Sequence, residues 1–166
     1  MKSKRIWVLL LALAGVAVYV GNVLATPSSG FTSTTLAKAQ FGEVDSHVHT
    51  EPAYWQEMIK TKGLSDLYVQ SNIFAPGGSS GWHTHPGPSL VIVTQGTLTV
   101  YEGDDPSCTP HVYSANGTNA FVDIGGGDVH LVRNQGAVEA RTIAVQLIPS
   151  GAARRIDAPD PGNCSF

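Results

Sequence analysis

Charge is scarce in this chain. Only 14% of its 166 residues are Asp, Glu, Lys or Arg, and only ten are basic. Three of those ten, Lys2, Lys4 and Arg5, stand at the start, which leaves seven basic against thirteen acidic residues, a net of −6, in the rest. So few cations do not make the broad basic face that binds nucleic acid, and no nucleic-acid partner is expected. Cysteine is scarcer still. Cys108 and Cys164 are the only two, too few for a cysteine-rich scaffold or a four-cysteine zinc site. Internal repeats are missing, and so is any rhythm of strands alternating with long helices, which sets aside a doubly wound α/β sheet. Apolar residues are not lacking: at 42% of the chain they suffice for a core and exclude wholesale disorder.

The first 25 residues read as an address. Lys2, Lys4 and Arg5 precede an apolar run from Ile6 to Leu24 that leads into the polar TPSSG. That pattern is a secretory signal peptide, with VLATP offering small residues for cleavage after Ala25, or an uncleaved anchor in which residues 6–24 contact the membrane. On either reading the folded part is exported: secreted, periplasmic or at the cell surface. Residues 26–166 are then expected to form a single domain.

Along that part, apolar and β-branched runs are short and separated by Gly, Pro, Asp and Asn. FTSTTLAKAQF, DLYVQSNIF, SLVIVTQ, TLTVYEG and ARTIAVQLIPS read as strands, with Gln95-Gly96 as the turn inside the central pair. Asn119–Asp123 and Asp128–Asn134 are shorter strand candidates flanking GGG, APGGSSG reads as a tight turn, and Glu51–Lys60 as a short helix. Six or seven such strands make an all-β barrel or sandwich the expected class.

The chemistry concentrates after Gly77. In GGSSGWHTHPGPSLVIVTQG, His83 and His85 are two residues apart, and extended backbone turns both rings to one face. His130 lies far along the chain, in GGGDVHLVRNQG. Across a barrel the three imidazoles can meet at one ion, although a histidine pair equally suits a turn or a solvent-facing strand.

The two segments together resemble the motifs of the cupin superfamily, in particular small exported single-domain cupins. The first motif runs Gly, five residues, His-x-His, a Glu three or four residues on, then Gly; here it is Gly77, His83, His85, Ser89 and Gly96. The second, Pro-x-Gly, two residues, His, three residues, Asn, aligns with Gly125 in place of Pro, then Gly127, His130 and Asn134. The resemblance, with its motif core at 77–134, implies a cupin-type double-stranded β-helix, a jelly-roll barrel. It further implies a divalent metal on His83, His85 and His130, and a homodimer formed by sheet contacts. Where the family carries a glutamate ligand this chain has Ser89, a neutral and short side chain that is a poor ligand. An all-histidine donor set favours zinc or copper over magnesium or calcium, with iron, manganese and nickel also accepted.

Ser89, Trp82 and Asp128 are expected to line the site: Ser89 by its place in the motif, Trp82 beside His83, and Asp128 two residues before His130. Asp128 and Asp123 are the carboxylates that could stand in for the missing glutamate as ligand or acid–base group, although Asp123 is read first as a turn or surface residue, and Asn134 is read as a turn-holding hydrogen-bonder. His47 and His49, followed by Glu51, repeat the His-x-His spacing; a second metal site or substrate-contacting loop is one reading, but without a distant partner an exposed polar loop comes first. Cys108 and Cys164 have only each other, so one disulfide is expected to tie the carboxyl-terminal tail to a long loop. Asn116 and Asn163 match the glycosylation pattern. The function expected is metal-dependent oxygenation or isomerisation of a small organic molecule. Against it stand a non-enzymatic ligand- or metal-binding sensory module and a structural protein with a vestigial site.

Overall fold

The structure is a computed structural model that describes residues 25–51 and 55–166. All but Ala25 of the signal or anchor segment therefore lies outside the described residues, as does Pro52, the expected start of a helix. Among the described residues no helix is long and apolar enough to cross a membrane.

Among the described residues all of the regular structure is strand. The first half of the chain forms β1 (Ser29–Phe41), β2 (Asp45–His49), β3 (Gln56–Lys60), β4 (Ser65–Ser79), β5 (His83–Thr84) and β6 (Ser89–Gln95). The second forms β7 (Thr97–Glu102), β8 (His111–Ser114), β9 (Ala120–Asp123), β10 (His130–Arg133), β11 (Ala140–Pro149) and β12 (Ile156–Asp157). Ten of these make one sheet that curls into a nearly closed jelly-roll barrel. Its path is β12-β5-β10-β4-β11-β6-β9, with β1 added along β4, β7 along β10 and β8 along β7. The hairpin β2–β3 is a separate two-stranded sheet.

Two expected elements are corrected. Gln56–Lys60 is a strand, because its residues pair one for one with Asp45–His49 and the Lys60 ammonium meets the Asp45 carboxylate at 2.8 Å. APGGSSG is not a tight turn either: β4 runs on through Ser79. A side chain at Gly78 would come within 2.6 Å of the Gly30 carbonyl, so this glycine admits β1 rather than turning the chain. β8 was unforeseen, although HVYS followed by Asn116-Gly117 has the make-up of a short strand and its turn.

Period-two alternation decides what faces inward. β11 buries Ala140, Thr142, Ala144, Gln146 and Ile148 in strict alternation, and β6 buries Ser89, Val91 and Val93 while exposing Leu90 and Ile92. Apolar packing splits into two clusters. Phe74, Val93, Leu98, Val100, Val132 and Ala140 close one end of the barrel interior. Trp82, Tyr101, Leu131 and Ala158 pack against Cys108 and Cys164. Those cysteines form the disulfide, which fastens the tail to the β7–β8 loop across 56 residues of sequence. Asn163 reinforces the attachment by donating to the Glu102 and Asp105 carbonyls, so its amide is occupied in the fold. At the other end, inward positions of β4 and β11 carry Gln70, Asn72, Thr142 and Gln146 instead of aliphatics. A polar chamber results.

Candidate metal centre

Two strands and one glycine turn place the histidines. His83 opens β5 and His130 opens β10, and the two are direct register partners. His85 follows β5 by one residue, and its carbonyl accepts the Gly126 amide at 2.8 Å. That contact depends on the turn ahead of it: Gly125 has φ +66°, and a β-carbon there would lie 2.3 Å from the Gly87 carbonyl. Only glycine fits, which accounts for Gly125 at the position where the motif carries proline.

The ring centroids are 4.3 Å apart for His83 and His130, 4.8 Å for His83 and His85, and 5.5 Å for His85 and His130. One nitrogen from each lies within 4.8 Å of the others, with His83 and His130 buried and His85 half-buried. Burial, more than any neighbouring charge, pushes all three imidazoles below the ordinary histidine range. His83 is further depressed by His130 and Arg155. For His85 the Arg154 carbonyl and Asp123 work the other way. His130 is pushed down to about 4 against the pull of Asp123. At neutral pH the rings are therefore neutral, the form that ligates metal.

Main-chain carbonyls set the tautomers. His83 Nδ1 donates to Gly81 O at 2.9 Å and His85 Nδ1 to Arg154 O, which turns Nε2 of both rings toward the chamber as an acceptor. The Gln146 amide lies 2.9 Å from the same His85 Nδ1 and 3.0 Å from Ser89 Oγ. Gln146 Nε2 donates to Ser89 Oγ, which leaves Oε1 buried on the chamber lining without a partner.

The chamber is a cavity of about 100 Å³, lined by the three histidines, Ser89, Asp123, Gln146 and their neighbours. Five buried polar atoms on its lining residues have no partner: Gln70 Nε2, Asn72 Oδ1, Asp123 Oδ2, His130 Nδ1 and Gln146 Oε1. Folded proteins rarely leave buried polar groups unpaired, so five around one cavity mark a place built to meet something else. Three neutral imidazoles and a nearby carboxylate are a donor set suited to a divalent transition metal.

Of the residues expected to line the site, Ser89 does so; it is 2% exposed at the head of β6. Trp82 does not. Strand alternation turns it away from His83 and into the cluster around the disulfide, where it is 2% exposed. Asp128 is also corrected: it sits half-buried at the end of the glycine turn, outside the cavity wall. Its carboxyl is raised by burial and then by Asp123 and Asp104. His47 and His49 lie on the separate hairpin, both exposed, with rings 6.4 Å apart. Asn134 holds a turn, donating to Phe74 O and Val138 O. Asp123, read from sequence first as a turn residue and second as a stand-in carboxylate, is 6% exposed and lies beside His85 and His130. Gln70, Asn72 and Gln146 went unremarked, yet their signal was present: a polar residue at an inward position of a strand as apolar as TIAVQLI.

Residues 72–146 match the family model of the Cupin domain. No curated protein matches the sequence. Among solved structures, the polyketide cyclase RemF from Streptomyces resistomycificus is similar at 15% identity and TM-score 0.51, over 84% of this chain and 81% of that one. The Cupin_2 domain of an XRE family transcriptional regulator from Enterobacter cloacae aligns at 14% identity and TM-score 0.43, over 71% and 96%. An oxalate oxidase aligns at 24% identity and TM-score 0.41, over 51% of this chain and 46% of that one. The matched segment supplies all three histidines and runs from the middle of β4 to Gln146 in β11, so that residues 72–146 carry the Cupin-domain match within a small jelly-roll barrel.

Proposed function

We propose that the barrel holds one divalent metal ion on His83, His85 and His130 and binds a small oxygen-bearing organic molecule beside it, for oxygenation or isomerisation. The observation that carries this reading is the convergence of three neutral imidazoles on a cavity whose other buried polar atoms are unpartnered. When bound, such an ion polarises a substrate oxygen or activates water or dioxygen. The chain's own residues do the rest. Gln70, Asn72 and the Gln146 amide offer donors and acceptors that orient the molecule, while Arg154 and Arg155 at the cavity wall favour a carbonyl or carboxylate group. The cavity has room for roughly three waters' share of liquid, which restricts the ligand to a few heavy atoms unless it projects outward. Ser89, where the cupin motif carries glutamate, withholds charge from the wall and leaves space beside the ion.

Export and pairing into dimers belong to the same reading. The outer face of the sheet carries an uncharged cross-strand row, Val69, Val145, Leu90 and Val122, with Leu90 58% and Val122 57% exposed. A second copy would cover such a row.

Elemental analysis of protein purified without added metal, followed by reconstitution with zinc, copper, iron, manganese and nickel in turn, tests the central claim. Near one ion per chain is expected, falling in His83→Ala, His85→Ala and His130→Ala. A wild-type protein that stays empty with every metal overturns it. Dioxygen uptake or isomer formation with small hydroxy and keto acids then separates an enzyme from a module that binds without turnover.

A further inference from the structure

Ser89 and Asp123 are register partners across β6 and β9. They belong to one inward-facing row, Tyr68, Gln146, Ser89 and Asp123, that crosses four strands. The place left neutral by Ser89 is therefore adjoined, one strand over, by a buried carboxylate.

The two oxygens of that carboxylate differ. Oδ1 accepts the Gly125 amide at 2.8 Å, within the glycine turn. Oδ2 is buried and has no partner, yet it lies 3.4 Å from His85 Nε2. With the His85 ring proton committed at Nδ1 to the Arg154 carbonyl, an acceptor nitrogen and an acceptor oxygen face each other. Two lone pairs held together in a buried place repel unless a positive charge lies between them. The separation is itself informative. Donors at 2.0–2.2 Å from one tetrahedral ion stand about 3.4 Å from each other, whereas a charge-assisted hydrogen bond is shorter, at about 2.7–2.9 Å.

We infer that Asp123 Oδ2 is a fourth ligand of the metal held by His83, His85 and His130, its carboxylate supplied from β9 in place of one from β6. The inference rests on the metal-binding reading above and adds to it a named residue and its charge. A divalent ion on three neutral imidazoles keeps both positive charges in a buried site, and Asp123 removes one of them. The Gly125 turn serves two ligands at once: its amide fixes Oδ1, which aims Oδ2 inward, and the next amide, at Gly126, fixes the His85 carbonyl.

Asp123→Asn is the discriminating substitution. Asn keeps an oxygen for the Gly125 amide and puts an NH2, which cannot ligate, where Oδ2 stood. Zinc affinity of the full-length chain is measured by competition with a chromophoric chelator, beside thermal unfolding of the metal-free protein. Asp123→Asn is expected to weaken zinc binding at least tenfold, and a zinc-loaded crystal of the wild type to place Oδ2 about 2.0–2.2 Å from the ion. An affinity within threefold of wild type in a folded variant overturns the assignment, as does a zinc-loaded wild type with Oδ2 beyond about 3 Å. If Asp123→Asn fails to fold, the wild-type crystal decides alone. A wild type that takes up no zinc, copper, iron, manganese or nickel defeats the metal-binding reading itself, an outcome distinct from an ion bound without Asp123.

Discussion

Removing the Cys108–Cys164 disulfide should cost this protein about 4 kcal/mol. The bond joins residues 56 apart; closing a loop of that length removes about 14 cal/mol/K of chain entropy from the unfolded state, or about 4 kcal/mol at 25 °C. The native tail has other attachments that survive reduction. Asn163 donates to two carbonyls, Phe166 packs 5.0 Å from the Tyr101 ring and lies under the Arg133 guanidinium, and β12 pairs with β5. The loss therefore falls chiefly on the unfolded side, and the native barrel should persist. In urea melts of wild type and Cys108→Ala/Cys164→Ala, the midpoint should drop while the slope rises, because the uncrosslinked unfolded chain exposes more surface. At about 2–4 °C per kcal/mol, the melting temperature should fall by about 8–16 °C. Position 108 refines the figure. Cys108 is the only non-glycine described at positive φ, +49°, where a β-carbon costs about 1 kcal/mol. Cys108→Gly/Cys164→Ala should accordingly recover about 1 kcal/mol of the loss. A double variant within about 1 kcal/mol of wild type would refute the loop-entropy reasoning and show that non-covalent contacts alone define the tail.

Three further outcomes are expected. Gly125→Ala forces a β-carbon to 2.3 Å from the Gly87 carbonyl at φ +66°; it should destabilise the fold by about 1–3 kcal/mol and, by shifting the turn that holds His85, weaken zinc binding, which urea melts and chelator competition measure. Trp82→Phe leaves a void in the cluster around the disulfide, for which about 1–3 kcal/mol of stability should be lost; zinc affinity should stay within about threefold, and a larger change would return Trp82 to the site. Asp66 is held below its ordinary value of 3.8 by the Gly151 amide first, then by Lys38 and Ser150. A depressed carboxyl adds stability above its unfolded pKa and loses it as pH falls through the lower folded value. Asp66→Asn should therefore be less stable at pH 7 and show a flatter acid limb in pH-resolved urea melts.

The barrel was legible because its signals are local. Alternation in SLVIVTQ and ARTIAVQLIPS, and the Gln95-Gly96 turn, survive into β6, β7 and β11 with their boundaries nearly intact. What failed depended on distance. Gly78 looked like a turn because nothing in APGGSSG reveals that β1 must pass against it. Trp82 looked like a site residue because it adjoins His83, while the pleat sends neighbours to opposite faces. Asp123 as a ligand ranks below its turn reading in the sequence because its meaning comes from pairing with Ser89, thirty-four positions earlier in the chain, and no spacing rule within β9 expresses that. The histidines were found because a repeated residue type at a two-residue interval advertises itself; the amides around them are single and silent.

The tautomer control at His83 and His85 has a consequence for how variation in this chain would read. Both groups that fix the proton positions, Gly81 O and Arg154 O, are main-chain atoms, which every amino acid carries. A mutational scan that trims side chains would pass over Arg154 as a source of ring orientation, since alanine presents the same carbonyl. The constraint there is on where the backbone runs. Insertion or deletion of one residue between Arg154 and β12 should disable the metal centre more thoroughly than truncation of the Arg154 side chain, whose role lies with the ligand beside it.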